Sequence, residues 1–159
     1  MAAAAFERRV LRRAAEHHYL RVRLELPDGG ARPNAAQFKQ LVVTALRELH
    51  GEVGAALPVD VLTYEEKTLS AILRVISSGL VKLWSALTLL GFYQNRRCAF
   101  RVLQEIRFPA PLYVGEEVTA AAEVKRLKGS VAHISVSCQV RESGKTVMEG
   151  MVKVMVPES

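Results

Sequence analysis

Five arginines, Arg21, Arg23, Arg74, Arg97 and Arg101, sit at alternate positions of extended segments, on the side opposite the apolar residues. Guanidinium groups gathered on one sheet face can grip phosphate oxygens in bidentate fashion. The pattern therefore points to contact with an RNA backbone or with an acidic protein surface. Tyr19 is the one aromatic in the same outward set. Sheets that read single-stranded RNA stack bases on several aromatics, so base-specific readout is not expected. The other reactive side chains do not assemble into a catalytic group. Glu65 and Glu66 are adjacent on a turn, point apart and lie in water, where nothing raises one carboxyl to serve as an acid. His133 falls on the polar side of a strand, and His17, His18 and His50 lie far from it in the chain. Cys98 and Cys138 alternate with apolar neighbours, the setting of reduced core thiols and not of a disulfide or metal site. Gly51 and Gly54 are too sparse for a phosphate loop, and no Lys-Thr signature follows. Neither enzymatic activity nor a cofactor is expected of this chain.

The elements that must position the arginines are legible from periodicity. Leu69, Ala71, Leu73 and Val75 alternate with Ser70, Ile72, Arg74 and Ile76, the period of a half-buried strand. Ser77-Ser78 then offers a helix N-cap, Leu80, Leu83, Trp84, Leu87 and Leu90 form a helical stripe, and Gly91 offers a left-handed C-cap. Upstream, Leu20, Val22, Leu24 and Leu26 mark another strand. Asn34 and Gln37 form a capping box, and Phe38, Leu41, Val42, Ala45 and Leu49 a second helical stripe ending near Gly51. Val59–Tyr64 and Arg96–Ile106 supply two more strands, the latter with Cys98, Phe100 and Val102 inward and Arg97, Ala99 and Arg101 outward. The order β-α-β-β-α-β predicts an α+β, ferredoxin-like sandwich with both helices on one face of the sheet. Three further strands follow as an antiparallel meander, turned at Lys128-Gly129 and Ser143-Gly144. Ala120, Ala122, Val124, Ile134, Val136, Val140, Val152 and Val154 line its apolar face.

Charge follows the same division. Residues 1–106 carry 15 Lys/Arg against 10 Asp/Glu, and residues 107–159 carry 7 against 6. The basic excess thus belongs to the first part and fits an acidic partner, ordinary solubility charge being the alternative. No apolar run approaches the ~20 residues that span a bilayer, so no membrane partner is expected. Residues 1–16 are rich in Ala and Arg and read as a basic arm, with a weak likeness to a mitochondrial transit segment. The expected organisation is an arm over 1–16, an α/β domain over 17–106 and a partial hot-dog meander over 107–159.

Two resemblances overlie this reading. The runs HHYLRVRLEL, NAAQFKQLV, GEVGAALPVDVLTYEEKTLSAILR, SSGLVKLWSALTLLG and CAF, across about 17–104, resemble the fourteen-kilodalton protein subunits of nuclear ribonuclease P and ribonuclease MRP. That resemblance implies a noncatalytic subunit of a nuclear, nucleolar ribonucleoprotein that trims the 5′ leader of precursor tRNA. Its partners would be the ribonuclease P/MRP RNA, the thirty-kilodalton subunit and other subunits of the particle. From Glu105 to Pro157 the chain is similar to the C-terminal half of the mitochondrial hydroxyacyl-thioester dehydratase, a hot-dog-fold enzyme. That family's Asp-x-Asn-Pro-x-His signature is missing here, so the alternative, a dehydratase-related mitochondrial protein, implies an inactive one. The chain reads as two pieces joined near Gln104-Glu105.

Overall fold

The computed structural model describes residues 16–157. The basic arm expected over 1–16 therefore lies, but for Glu16, outside the described residues. The first element among the described residues is strand β1 (His17–Glu25), whose alternation buries Leu20, Val22 and Leu24 and exposes Arg21 and Arg23. Helix α1 (Ala35–Ala55) starts at the capping box: Gln37 N–H donates to Asn34 Oδ1, and Asn34 N–H donates to Gln37 Oε1, both at 2.9 Å. Phe38, Leu41, Val42, Ala45 and Leu46 are buried along it, whereas Leu49 is exposed; the inward stripe runs through Leu46 instead. Gly51 breaks the regular helix, at the point where the sequence places its end. It adopts φ 69°, ψ −162°, a conformation open to a residue without Cβ, and the helix resumes for one more turn.

Strands β2 (Val59–Glu65) and β3 (Ser70–Ile76) form a hairpin that lies beside β1. A 3₁₀ turn (Ser77–Gly79) then leads into α2 (Leu80–Leu89). Neither expected cap forms. The Ser77 hydroxyl donates to the Glu16 carbonyl at 3.0 Å, and the helix starts at Gly79 with no side-chain cap. At the other end Leu90 leaves in an extended conformation, so Gly91 has no left-handed turn to make. A small hairpin of β4 (Phe92–Tyr93) and β5 (Arg96–Arg97) stands apart from the main sheet. Next come β6 (Ala99–Arg107), β7 (Val118–Lys128), β8 (Val131–Val140) and β9 (Thr146–Met155).

The seven long strands form one sheet in the order β2-β3-β1-β6-β9-β8-β7. Its first four strands have the ferredoxin-like order, with α1 and α2 packed on one face. The core lies between them: Leu20, Val22, Phe38, Leu41, Leu46, Leu73, Leu83 and Leu87 are fully buried, and the cluster reaches no further along the chain than Val102. The meander β7-β8-β9 lies outside that cluster. It extends the sheet edge to edge through β6 and β9, where four residues, Gln104–Arg107, pair with Glu149–Val152.

Gly150 makes this short seam possible. It sits opposite Ile106, and a Cβ there would collide with the Glu105 carbonyl oxygen. Arg107 ties the seam from the side, pairing with Glu149 and, at 2.9 Å, with Glu16. Gly150→Val should therefore part β9 from β6 at a cost of ~1–3 kcal/mol, as overpacking does. The core cluster beneath the helices contains none of the seam residues and should melt near the wild-type temperature. Limited proteolysis checks this: cleavage within 108–117 is expected to accelerate markedly, and an unchanged rate would show that the seam does not hold the meander.

Candidate nucleic-acid and partner interface

Of the five arginines expected on one face, the sheet gathers four. Register across β3, β1 and β6 sets Arg74 beside Tyr19, and Arg23 between Ser70 and Arg101. Arg21 lies between them, flanked by Ile72 and Gln104. Arg97 is not part of this group. The strand expected over 96–106 breaks at Cys98, whose N–H donates to the Gly91 carbonyl at 2.9 Å, closing off the small hairpin. The hairpin turns at Gln94 and Asn95, both with positive φ, as a two-residue hairpin turn requires. Arg97 is thereby carried off the main sheet while remaining exposed.

Its neighbour Arg96 holds the hairpin down. Nε and Nη2 of Arg96 donate to the Asp28 carboxylate at 2.8 and 2.9 Å, and Nη1 donates to the Ala31 carbonyl at 2.8 Å. The Arg96 bonds, then the Gly30 N–H at 3.0 Å, hold Asp28 well below the usual carboxylate range. Elsewhere burial pushes the Cys98 thiol up, and Cys98 and Cys138 are both free. His18 pairs with Glu105 on the helical side of the sheet, away from the arginines. Among the described residues, no group of three or more His, Cys, Asp and Glu is placed to hold a metal ion.

The four gathered arginines are not equally available. Arg74 donates twice to Asp60 Oδ2, at 3.0 and 2.8 Å, and this pairing raises its guanidinium above the ordinary value. Glu25 accepts from Arg101 at 3.1 Å and lies 3.6 Å from Arg23. Arg21 makes no ion pair with any described residue. The acids hold three guanidinium groups in place and lower the net charge of the face. Such exposed pairs contribute little to stability, and their carboxylates are readily displaced by a stronger anion such as phosphate.

Beside Arg21 the face is apolar, a feature that counting arginines does not reveal. A groove of about 670 Å³ is lined by Tyr19, Leu62, Ile72, Ile106 and Phe108 around Arg21. Phe108 packs edge-on against Tyr19 with ring centroids 5.3 Å apart. Ile106 reaches this face through a bulge: Arg21 pairs with Gln104 and Val22 with Val102, leaving Leu103 as an extra residue in β6. Ile72 was visible as a branched apolar residue in an outward row; the bulge had no comparable signal. The apolar side of the meander, with Val124, Ile134 and Val152 in register with Gln104, continues the same open face.

Residues 18–105 match the Rpp14/Pop5 family. A mouse (Mus musculus) protein named ribonuclease P protein subunit p14 is 65% identical over 104 residues, which span 65% of this chain and 85% of the mouse protein. The human protein of the same name is 64% identical over 102 residues, spanning 64% of this chain and 82% of its own length. A chain in the cryo-EM structure of yeast ribonuclease MRP shares the fold with a TM-score of 0.54 at 16% identity, covering 65% of this chain and 82% of that one.

The Asp28–Arg96 bond gives a testable pH dependence. A carboxyl depressed in the folded state adds stability above its unfolded value of about 3.9, and that stability is lost as pH falls through the depressed value. Carboxyl carbon NMR should show Asp28 still ionised at about pH 3, and Arg96→Gln should return it toward the ordinary range. An ordinary Asp28 titration in the wild type would mean that the hairpin is not held by this bond.

Proposed function

Because the chain belongs to the Rpp14/Pop5 family, we propose that it serves as a noncatalytic protein subunit of ribonuclease P and ribonuclease MRP. In this reading it supports removal of the 5′ leader of precursor tRNA, with the chemistry carried by the RNA of the particle. The observations that carry the proposal are the family match over 18–105 and the close to two-thirds identity with p14 subunits over 104 and 102 residues. The setting would be nuclear, and nucleolar within the nucleus. The partners would be the particle's RNA, the thirty-kilodalton subunit and its other proteins.

The open sheet face is the contact surface in this proposal. Arg21, Arg23, Arg74 and Arg101 would meet phosphate oxygens, exchanging Glu25 and Asp60 for the stronger anion. Arg97 would add a contact from the hairpin at the edge of the site. The groove around Ile72, Ile106 and Phe108 would take an apolar group of a neighbouring subunit or RNA loop. The unit over 17–106 holds the helices and the core cluster. The meander over 107–159 we read as a fragment of a hot-dog sheet grafted onto that unit. Its three antiparallel strands, turned at Gly129 and Gly144 with positive φ, support that reading.

Replacing Arg21, Arg23, Arg74 and Arg101 together by Gln should leave the fold intact, since none belongs to the core cluster. Affinity for the particle's RNA should fall by at least tenfold at moderate salt. The slope of log affinity against log salt should flatten by up to about four counterions, one for each lost phosphate contact. Filter binding across a salt series measures both. A folded quadruple variant with unchanged affinity and slope would remove this face from the RNA contact.

A further inference from the structure

Strand β7 is one edge of the seven-stranded sheet, and all of its residues are exposed. Arg141 N–H donates to the Glu117 carbonyl at 2.8 Å, and Val118 pairs with Val140 in the same register. Odd-numbered residues of β7 therefore bond to β8, while Val118, Ala120, Ala122 and Val124 turn their peptide groups outward. This regular stretch ends at Val124, where a bulge interrupts the pairing before Arg126. Unpaired peptide groups along a sheet edge are a template for another strand. Between Val118 and Val124 there is no proline and no basic residue to blunt the edge; Lys125, Arg126 and Lys128 lie at or beyond the bulge.

We propose that the chain forms a two-fold homodimer in which β7 pairs antiparallel with β7 of a second copy, centred on Ala121. This centre places Val118 opposite Val124 of the second copy and Ala120 opposite its Ala122. All four are outward-bonding positions, so they meet as hydrogen-bonded pairs, and the small alanines clear one another. The charges agree with this orientation. Acidic residues, Glu116 and Glu117, precede the stretch, and basic residues, Lys125 and Arg126, follow it. Antiparallel self-pairing brings the acidic end, Glu116 and Glu117, alongside the basic end, Lys125 and Arg126, of the second copy at both ends of the seam, whereas a parallel copy would set like against like. Within one chain Glu117 pairs with Arg141 at 3.4 Å and Lys125 with Glu123 at 2.8 Å, exposed pairs that are easily exchanged, whereas Glu116 is held by the Tyr113 N–H at 2.8 Å and lies 4.0 Å from Lys145. The opposite edge, β2, is shorter and bulged after Val61. The two-fold keeps both open faces on the same side, so two arginine-bearing surfaces would lie in one extended plane.

Sedimentation equilibrium of the full chain tests the proposal without reference to RNA. The wild type is expected to be dimeric. Glu117→Lys and Lys125→Glu should each weaken the dimer by about tenfold or more, because both ends of the seam become repulsive. Mixing the two variants should restore dimer as a heterodimer, because the swapped charges then oppose each other at both ends. Ala122→Pro, which removes an outward N–H from an edge strand, should leave a monomer with wild-type circular dichroism. Should that variant unfold, the surface-charge variants still decide. A wild type that stays monomeric overturns the proposal. So does a dimer that neither charge variant weakens, or single variants that are not restored on mixing, as a different interface or another protein's strand on this edge would give.

Discussion

One extra residue in β6 decides what this sheet presents to its surroundings. Strict alternation from Cys98 through Phe100 and Val102 would send Gln104 and Ile106 into the helical layer as well. The bulge at Leu103 reverses the parity of everything after it. Gln104 and Ile106 move to the open face, and Glu105 turns to the helical side, where it meets His18. The reversed parity passes through the β6–β9 seam to the whole meander. Had β6 stayed regular, the apolar row of Ile134, Val152 and Val124 would lie on the helical side. Instead it extends the face that carries Tyr19 and Arg21. A bulge re-aims side chains at the cost of a ladder bond or two; here it joins two sheets of different character into one surface.

That surface mixes two kinds of contact. Near β1 and β3 it is polar and pre-organised, with Asp60 and Glu25 holding Arg74, Arg101 and Arg23 in fixed positions. Fixed guanidinium groups lose less side-chain entropy when they bind than free ones do. Around Ile72, Ile106 and Phe108, and onward over the meander, the surface is apolar and uncovered. An exposed apolar area continuous with a charged one is the character of an interaction surface. Phe108 lies outside the family-matched residues, so the meander segment contributes directly to the groove.

Much of this was legible from the residues. The inward rows of β1 and β3 follow from period two, and the Asn34–Gln37 box starts α1 where it should. The errors share a cause: each depends on a local geometry that residue type does not announce. Arg97 leaves the sheet because Gln94-Asn95 makes a hairpin turn without the glycine that usually signals one. Gly91 looks like a helix cap but follows a residue that exits extended, so no left-handed turn is needed. The bulge at Leu103 follows from pairing with a strand some eighty residues away, and no window along β6 contains that information.

In the proposed function the open face, and not the helical layer, is the side of this protein that meets RNA within a ribonuclease P or MRP particle. Ultraviolet cross-linking of the tagged chain in cells, followed by mass spectrometry of the RNA-bound peptides, tests it most directly. The expected result is cross-links to ribonuclease P or MRP RNA within β1, β3 and β6, with Tyr19 and the arginine-bearing positions foremost. Cross-links confined to the exposed sides of α1 and α2, or recovery of the particle's proteins with no RNA cross-link on the sheet, would contradict it.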